Sequence, residues 1–448
     1  MKKILLIAAL FFVCKVTNAQ FMDYTASNQG NFTGGAGVTW IDGRPYSSIR
    51  LRPEIAFSKI GIGLDFNLEF DANGNINKEN FNEASDYLSI IRYVRYGNKS
   101  ESFYARLGAL DYATLGHGSI MYMYNNSPSY DVRKIGLEFD IDMEKFGFES
   151  VYGNFGDAGV AGFRGFVRPL KLTALGDIPV LGNLETGVTF AGDFNKYAGV
   201  SSASLDSLNQ VKIHKDYGVM QVMGFDVGLP VSLSDYFRIT PYYDFAKIVN
   251  FGQGSSAGIM LNLNGLGIFS AGAKLERRFN GDRYLPSYFN SFYEVERLQM
   301  ASKGANSNYI SKAQRLDSLT TNGSGFYGGL LLKILNIFEI NGSYQRLDND
   351  PESGILHLGT DISPAGAPYI ARAGYDKVRI GNEKDIFTLD DRSYLFAEVG
   401  YKPFPFMIVS LVYNWTFTPN RDKDNNVIEF VPQKKIESRV SFVYPFNF

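Results

Sequence analysis

Ile60–Asp71 reads IGIGLDFNLEFD. Ile60, Ile62, Leu64, Phe66, Leu68 and Phe70 fall on one side of an extended chain. Gly61, Gly63, Asp65, Asn67, Glu69 and Asp71 fall on the other. Successive side chains of a strand point to opposite faces, so a period of two is strand geometry. Upstream, Ser48–Phe57 (SIRLRPEIAF) sets Ile49, Leu51, Pro53, Ile55 and Phe57 against Arg50, Arg52, Glu54 and Ala56, with only Ser58-Lys59 between the two runs. A soluble antiparallel sheet shows the same alternation, so its repetition has to decide.

It repeats along the chain. Lys134–Met143 places Ile135, Leu137, Phe139, Ile141 and Met143 opposite Gly136, Glu138, Asp140 and Asp142. The pattern returns around 234–245, 330–347, 393–417 and 439–448. Short connections at 58–59, 144–145, 234–235, 335–336 and 403–405 alternate with long polar ones at 72–86, 111–131, 195–217, 280–324, 348–391 and 419–432. This asymmetry predicts a transmembrane antiparallel up-and-down β-barrel with short periplasmic turns and long extracellular loops. The strand count is even and best placed at 16–18. Weak hairpins around 160–190 and 258–274 would bring it down to 14.

The N-terminal MKKILLIAALFFVCKVTNAQ has Lys2 and Lys3, an apolar run to Val13, and small residues Thr17 and Ala19. This predicts a secretory signal peptide over residues 1–19, cleaved after Ala19, with 20–448 forming a single barrel domain. Phe12 and Val13 before Cys14 do not fit a lipidation site. Cleavage removes the chain's one cysteine and with it any disulfide or thiolate ligand. It also removes three lysines, leaving 41 basic against 46 acidic residues. That balance excludes a broad nucleic-acid-binding surface. No cofactor is expected.

The last strand carries Phe442, Tyr444, Phe446 and Phe448 at alternate positions. Together with Val440 they resemble the C-terminal insertion signal of Gram-negative outer-membrane barrels; Pro445 departs from the pattern. The resemblance implies export to the outer membrane, contact with its lipid, and recognition by the barrel-assembly machinery.

Three functions fit such a chain. A porin-like channel for small polar solutes is favoured by the charged face opposite the apolar one: Arg50, Arg52, Glu54, Asp65, Glu69, Arg106, Glu138 and Asp140 would line the lumen and set selectivity. A transporter of hydrophobic substrates is favoured by the aromatic segment Asp282–Met300. Its Tyr284, Tyr288, Phe289, Phe292 and Tyr293 are too apolar for a free loop, and would form a constriction or a contact surface in the barrel mouth. A non-conducting envelope component is favoured if loops crowd the lumen. The segment 354–378 reads as a second stretch packed across the mouth.

Catalytic signals are thin. His117 and Ser119 resemble the His-x-Ser of outer-membrane phospholipases, but Ile120-Met121 follow where that family has Asn-Gly. Asp422, Asp424 and Asn426 match the first ligand spacings of an EF-hand loop, which then lacks its glycine and distal glutamate. The chain is therefore not expected to be an enzyme or to hold a metal.

Overall fold

The computed structural model describes residues 30–448 apart from 58, 77–89, 100, 129–133, 207–209, 235, 264–267, 301–308, 320–322, 336, 363–366, 423–426 and 447–448. The expected signal peptide and Phe448 lie outside the described residues. So do the side chains of Glu54, Tyr444 and Phe446.

Among the described residues, one 22-stranded antiparallel sheet closes on itself. Gly30–Ile41 pairs with Arg44–Phe57 on one side and with Val427–Phe446 on the other, the latter in continuous register from Gly30↔Phe446 to Ile41↔Lys435. Two staves are each broken into collinear segments. Ile60–Leu64 and Phe66–Phe70 both run along Arg44–Phe57, while Met220–Gly228 and Val231–Ser232 both run along Phe237–Ile248. The ring therefore has 20 staves, more than the 16–18 read from the sequence and well beyond 14. Glycine makes the closing seam. A Cβ on Gly35 or Gly37 would lie 1.9 Å from the Val440 or Ser438 carbonyl oxygen, closer than any side chain can approach.

The wall is inverted relative to a soluble protein. Arg50, Asp65, Arg164, Lys274, Glu276 and Arg278 are each 5% exposed or less, whereas Val188 and Val399 are 66% exposed. Charges point in and large apolar side chains point out. A continuous apolar exterior is stable against hydrocarbon and not against water. No helix among the described residues is long and apolar enough to cross a membrane. Phe442, 41% exposed, sits on this outer face.

All five short connections expected from the sequence lie at one end of the barrel, together with Gly30 and Phe446. The connections around 71–90, 109–135, 194–219 and 281–322 lie at the other. Two expectations fail here. Residues 348–391 are not a loop: Asp350–Ile362 and Tyr369–Ile380 are wall staves, so 354–378 does not pack across the mouth. A register shift between Gly354 and Leu356 breaks the alternation there and hides the strand. Most of 419–432 likewise extends the strands Met407–Arg421 and Val427–Phe446; residues 423–426 of the EF-hand-like stretch lie outside the described residues.

A plugged lumen and its two cavities

Stave length decides what fills the barrel. Met407–Arg421 and Val427–Phe446 have 15 and 20 residues, but Ile91–Tyr96 and Phe103–Gly108, about a quarter of the way round the ring, have six each. On that low side the chain leaves the wall at Gly108, whose φ of +127° bends it inward. A Cβ there would sit 2.4 Å from the Arg92 carbonyl oxygen, so glycine is required.

Residues 109–128 then form the first lobe of a plug, and 282–298 form the second. Met121 bridges Phe289 in parallel fashion, the Tyr122 amide donates to the Phe289 carbonyl (3.0 Å), and the Phe289 amide donates to that of Ile120 (3.2 Å). The Ser287 amide and hydroxyl donate to the carbonyls of Ser119 and Gly118. Around this seam Leu110, Leu115, Met121, Tyr124, Tyr288 and Phe289 share one core with Val151, Ala191, Met220 and Ile248 of the wall. The opposite wall is reached as well. Tyr112 meets His357 edge to ring at 5.2 Å, Phe292 meets Phe417 at 5.9 Å, and Thr416 donates to the Pro128 carbonyl. The plug thus spans the lumen from side to side.

The aromatic residues singled out from the sequence are all here: Tyr284, Tyr288, Phe289, Phe292 and Tyr293 are each under 5% exposed. Tyr284, Tyr288, Phe289 and Tyr293 belong to the core shared by the lobes and the wall, and Phe292 packs against Phe417 of the wall. The first lobe was read only as a polar loop, although Leu110, Tyr112, Leu115, Ile120, Met121, Tyr122 and Tyr124 carry the same apolar signal that marked the second.

Buried charge fixes the second lobe. Asp193 accepts from the Tyr293 hydroxyl (2.8 Å) and Arg297 Nε (2.6 Å). Glu294 accepts two bonds from Arg297 (2.7 and 2.8 Å), one from the Tyr124 hydroxyl (2.6 Å) and one from Lys134. Burial pushes the Glu294 carboxyl up, but Arg297 and Lys134 outweigh it and hold it down at about 2. A carboxyl depressed on folding stabilises the folded state above its ordinary range, and that stability is lost as pH falls through the lowered value. We therefore expect the plug to stay docked at pH 4 and to loosen toward pH 2. Pepsin cleavage at Tyr288–Tyr293, normalised to the unfolded chain, should appear only near pH 2; equal cleavage at pH 4 would contradict the role given to Glu294.

A cluster from the neighbouring wall fixes the first lobe. His117 Nδ1 lies 2.7 Å from one Asp244 oxygen and the Ser119 hydroxyl donates to the other. Lys274 donates to the His117 carbonyl (2.5 Å) among the rings of Tyr122, Tyr242 and Tyr327. The carboxylate stands between serine and imidazole, so the His117 ring is not set on the Ser119 hydroxyl.

Of the residues read as lumenal, the described side chains of Arg50, Arg52, Asp65, Glu69, Arg106, Glu138 and Asp140 lie on the inward face beside counter-charges. Asp65 binds Arg50 (3.2 Å) and Arg52 (2.8 Å); Lys435 lies 3.5 Å from Glu69. Lys99 binds Glu138 and lies 3.3 Å from Asp140. Arg106 binds Asp111 at the root of the first lobe (2.7 Å). One buried cluster was not foreseen: Arg164, 2% exposed, bonds Glu149 (3.0 Å), Glu185 (2.8 Å) and Asp226 (2.5 Å).

Among the described residues, one cavity lies on each side of the plug, and the two share no lining residue. One of 490 Å³ opens at the short-turn end and is lined by charged side chains including Lys99, Glu149, Arg164, Arg168, Glu185 and Lys274. The other, of 850 Å³, opens at the long-loop end among Lys215, Glu296, Lys312, Arg315, Asp317 and Asp350.

No known protein family matches the sequence, and no curated protein does. Similar solved structures include OccK11 (OpdR) of Pseudomonas aeruginosa, at 8% identity and TM-score 0.30 over 97% of this chain and 100% of that one. The siderophore receptor PirA of Acinetobacter baumannii is 8% identical with a TM-score of 0.37, over 94% of this chain and 81% of that one. Wzi of Escherichia coli, an outer membrane protein involved in group 1 capsule assembly and a carbohydrate-binding β-barrel, is 10% identical with a TM-score of 0.34, over 94% and 85%. The closed antiparallel ring with its apolar exterior and ionised interior makes the protein a β-barrel of the Gram-negative outer membrane.

Proposed function

We propose that the protein is a porin-like channel for small polar solutes, held shut by the two lobes docked in its lumen. The observation that carries this reading is the pair of ion-lined cavities at opposite ends of one barrel, separated by the thickness of the plug. A path lined by fixed charges and water suits hydrophilic solutes. It does not suit lipids, and the aromatic residues of the second lobe are consumed in the packing of the plug and its seat on the wall. Moving the plug opens the path, and Arg50, Arg52, Asp65, Glu69, Arg106, Glu138 and Asp140 then tune which charges pass. A second reading, a permanently sealed component of an envelope complex, is favoured by the plug's apolar contacts with both walls. Proteoliposomes separate the two. A channel admits glycine slowly through the intact protein, whereas a sealed component admits it only once the plug is shortened.

The long loops are placed outside the cell and the short turns in the periplasm. A membrane-impermeant maleimide should then label Lys384→Cys on intact cells, and Ala174→Cys only after permeabilisation. The reverse result would invert the barrel.

A further inference from the structure

On the outer wall toward the long-loop end, three outward residues on adjacent staves stand in one row: Arg277 is registered with Phe326, and Phe326 with Arg346. Two inter-strand steps separate the arginines, about 10 Å between their backbones. Below Arg277 on the same face come Leu275, Ala273, Ala271 and Phe269. Eight residues of tilted strand give about 20 Å of apolar height, close to the full belt of an outer-membrane barrel. The row therefore stands where hydrocarbon ends and headgroups begin.

Its geometry is that of an amphipathic clamp. The Arg277 guanidinium lies 4.0 Å over the ring of Phe326, itself 61% exposed. Arg277 also donates to Ser324 Oγ, to Asp348 (3.0 Å) and to the Gly325 carbonyl (3.5 Å). Arg346 donates to the Tyr344 hydroxyl (3.4 Å) and the Gly381 carbonyl (3.2 Å). These bonds aim both side chains without using all five N–H donors of either guanidinium. Directly beneath the row, Gly328 sits between Leu275 and Tyr344 in register and leaves a groove on the lipid face. A Cβ added there would meet only the Leu275 side chain, at 3.7 Å.

We propose that Arg277, Phe326 and Arg346 bind a phosphate of the phosphorylated glycolipid that forms the outer leaflet, with an acyl chain lying along the Gly328 groove. Guanidinium forks match phosphate oxygens in geometry and charge. The exposed ring and the apolar residues below it suit the acyl portion of the same molecule. Asp348 works against binding by holding part of Arg277's charge. The proposal rests on the long loops facing outward, as argued above for the channel.

Native mass spectrometry of the purified barrel tests it, with bisphosphorylated lipid A, its dephosphorylated form and phosphatidylglycerol each added in turn. We expect retention of the bisphosphorylated glycolipid, a loss of at least about ten-fold in Arg277→Gln/Arg346→Gln, and equal or greater retention in Asp348→Asn. Arg277→Lys/Arg346→Lys, which keeps the charges but not the forks, should fall between. Lys247→Gln, another outward cation, should change nothing. Heat-modifiable migration identifies variants that remain folded. Undiminished retention in the folded double variant, an equal loss in Lys247→Gln, or equal retention of dephosphorylated lipid would each overturn the site. Preferential retention of phosphatidylglycerol through the same arginines would also overturn it; that result locates the fault in the barrel's orientation and leaves the plug's role untouched.

Discussion

Deleting Pro286–Gln299 and joining Leu285 to Met300 through a short Gly/Ser linker should raise single-channel conductance at least about ten-fold. The deleted segment carries Tyr288, Phe289, Tyr293 and Arg297, the side chains that tie the second lobe to the first and to Asp193. With it goes the partner strand of Met121 and the acceptor of the Tyr124 hydroxyl, so the first lobe loses its main support inside the lumen. The wall itself is untouched, because no stave pairs with the deleted residues. Loop-closure entropy changes slowly with length, so the shortened connection should be tolerated. Asp193 is then left without Arg297, but in a hydrated lumen that charge is no longer expensive. A folded, heat-modifiable variant that stays as silent as the parent would show that the plug is not what closes the barrel.

Arg164→Met should destabilise the barrel by about 3–5 kcal/mol, the usual cost of leaving buried charges without their partner. Three carboxylates converge on this guanidinium, and Glu149 also accepts the Gly116 amide of the first lobe at 2.7 Å. The substitution therefore weakens the wall and the seat of the plug together. Adding Asp226→Asn and Glu149→Gln removes two of the stranded charges and should recover more than half of the loss. The midpoint of urea unfolding in lipid vesicles reads both effects. If Arg164→Met unfolds at the parent's midpoint, water already reaches the cluster and the lumen there is open.

The barrel was legible because lipid and an ionised lumen impose opposite demands on neighbouring residues. Leu64 faces out and Asp65 faces in, and their alternation is written in the chain. The stave number was less legible. Three tight turns, at 42–43, 249–252 and 348–349, lie at the end otherwise marked by long loops, and the 168–184 connection at the short-turn end is long. Turn length therefore misassigned some hairpins. The bulged strands of 350–380 were lost because a register shift cancels a period of two. The second lobe announced itself through its aromatic content. Its depth did not, since filling a lumen depends on wall height, and that is set by pairing between distant segments. That acids and bases would pair across the wall was expected, but which ones was not legible, for the same reason: Arg50 and Asp65 become neighbours only once their hairpin closes.

The docking of both lobes inside the barrel underlies every functional statement above, and amide hydrogen exchange of the folded protein tests it most directly. The Tyr122, Ser287 and Phe289 amides, bonded lobe to lobe at 3.0, 2.8 and 3.2 Å, should exchange as slowly as those of the wall strand Phe237–Ile248. Exchange at these three as fast as in the exposed turn around Lys384 would mean that the loops lie outside the lumen and the barrel is open.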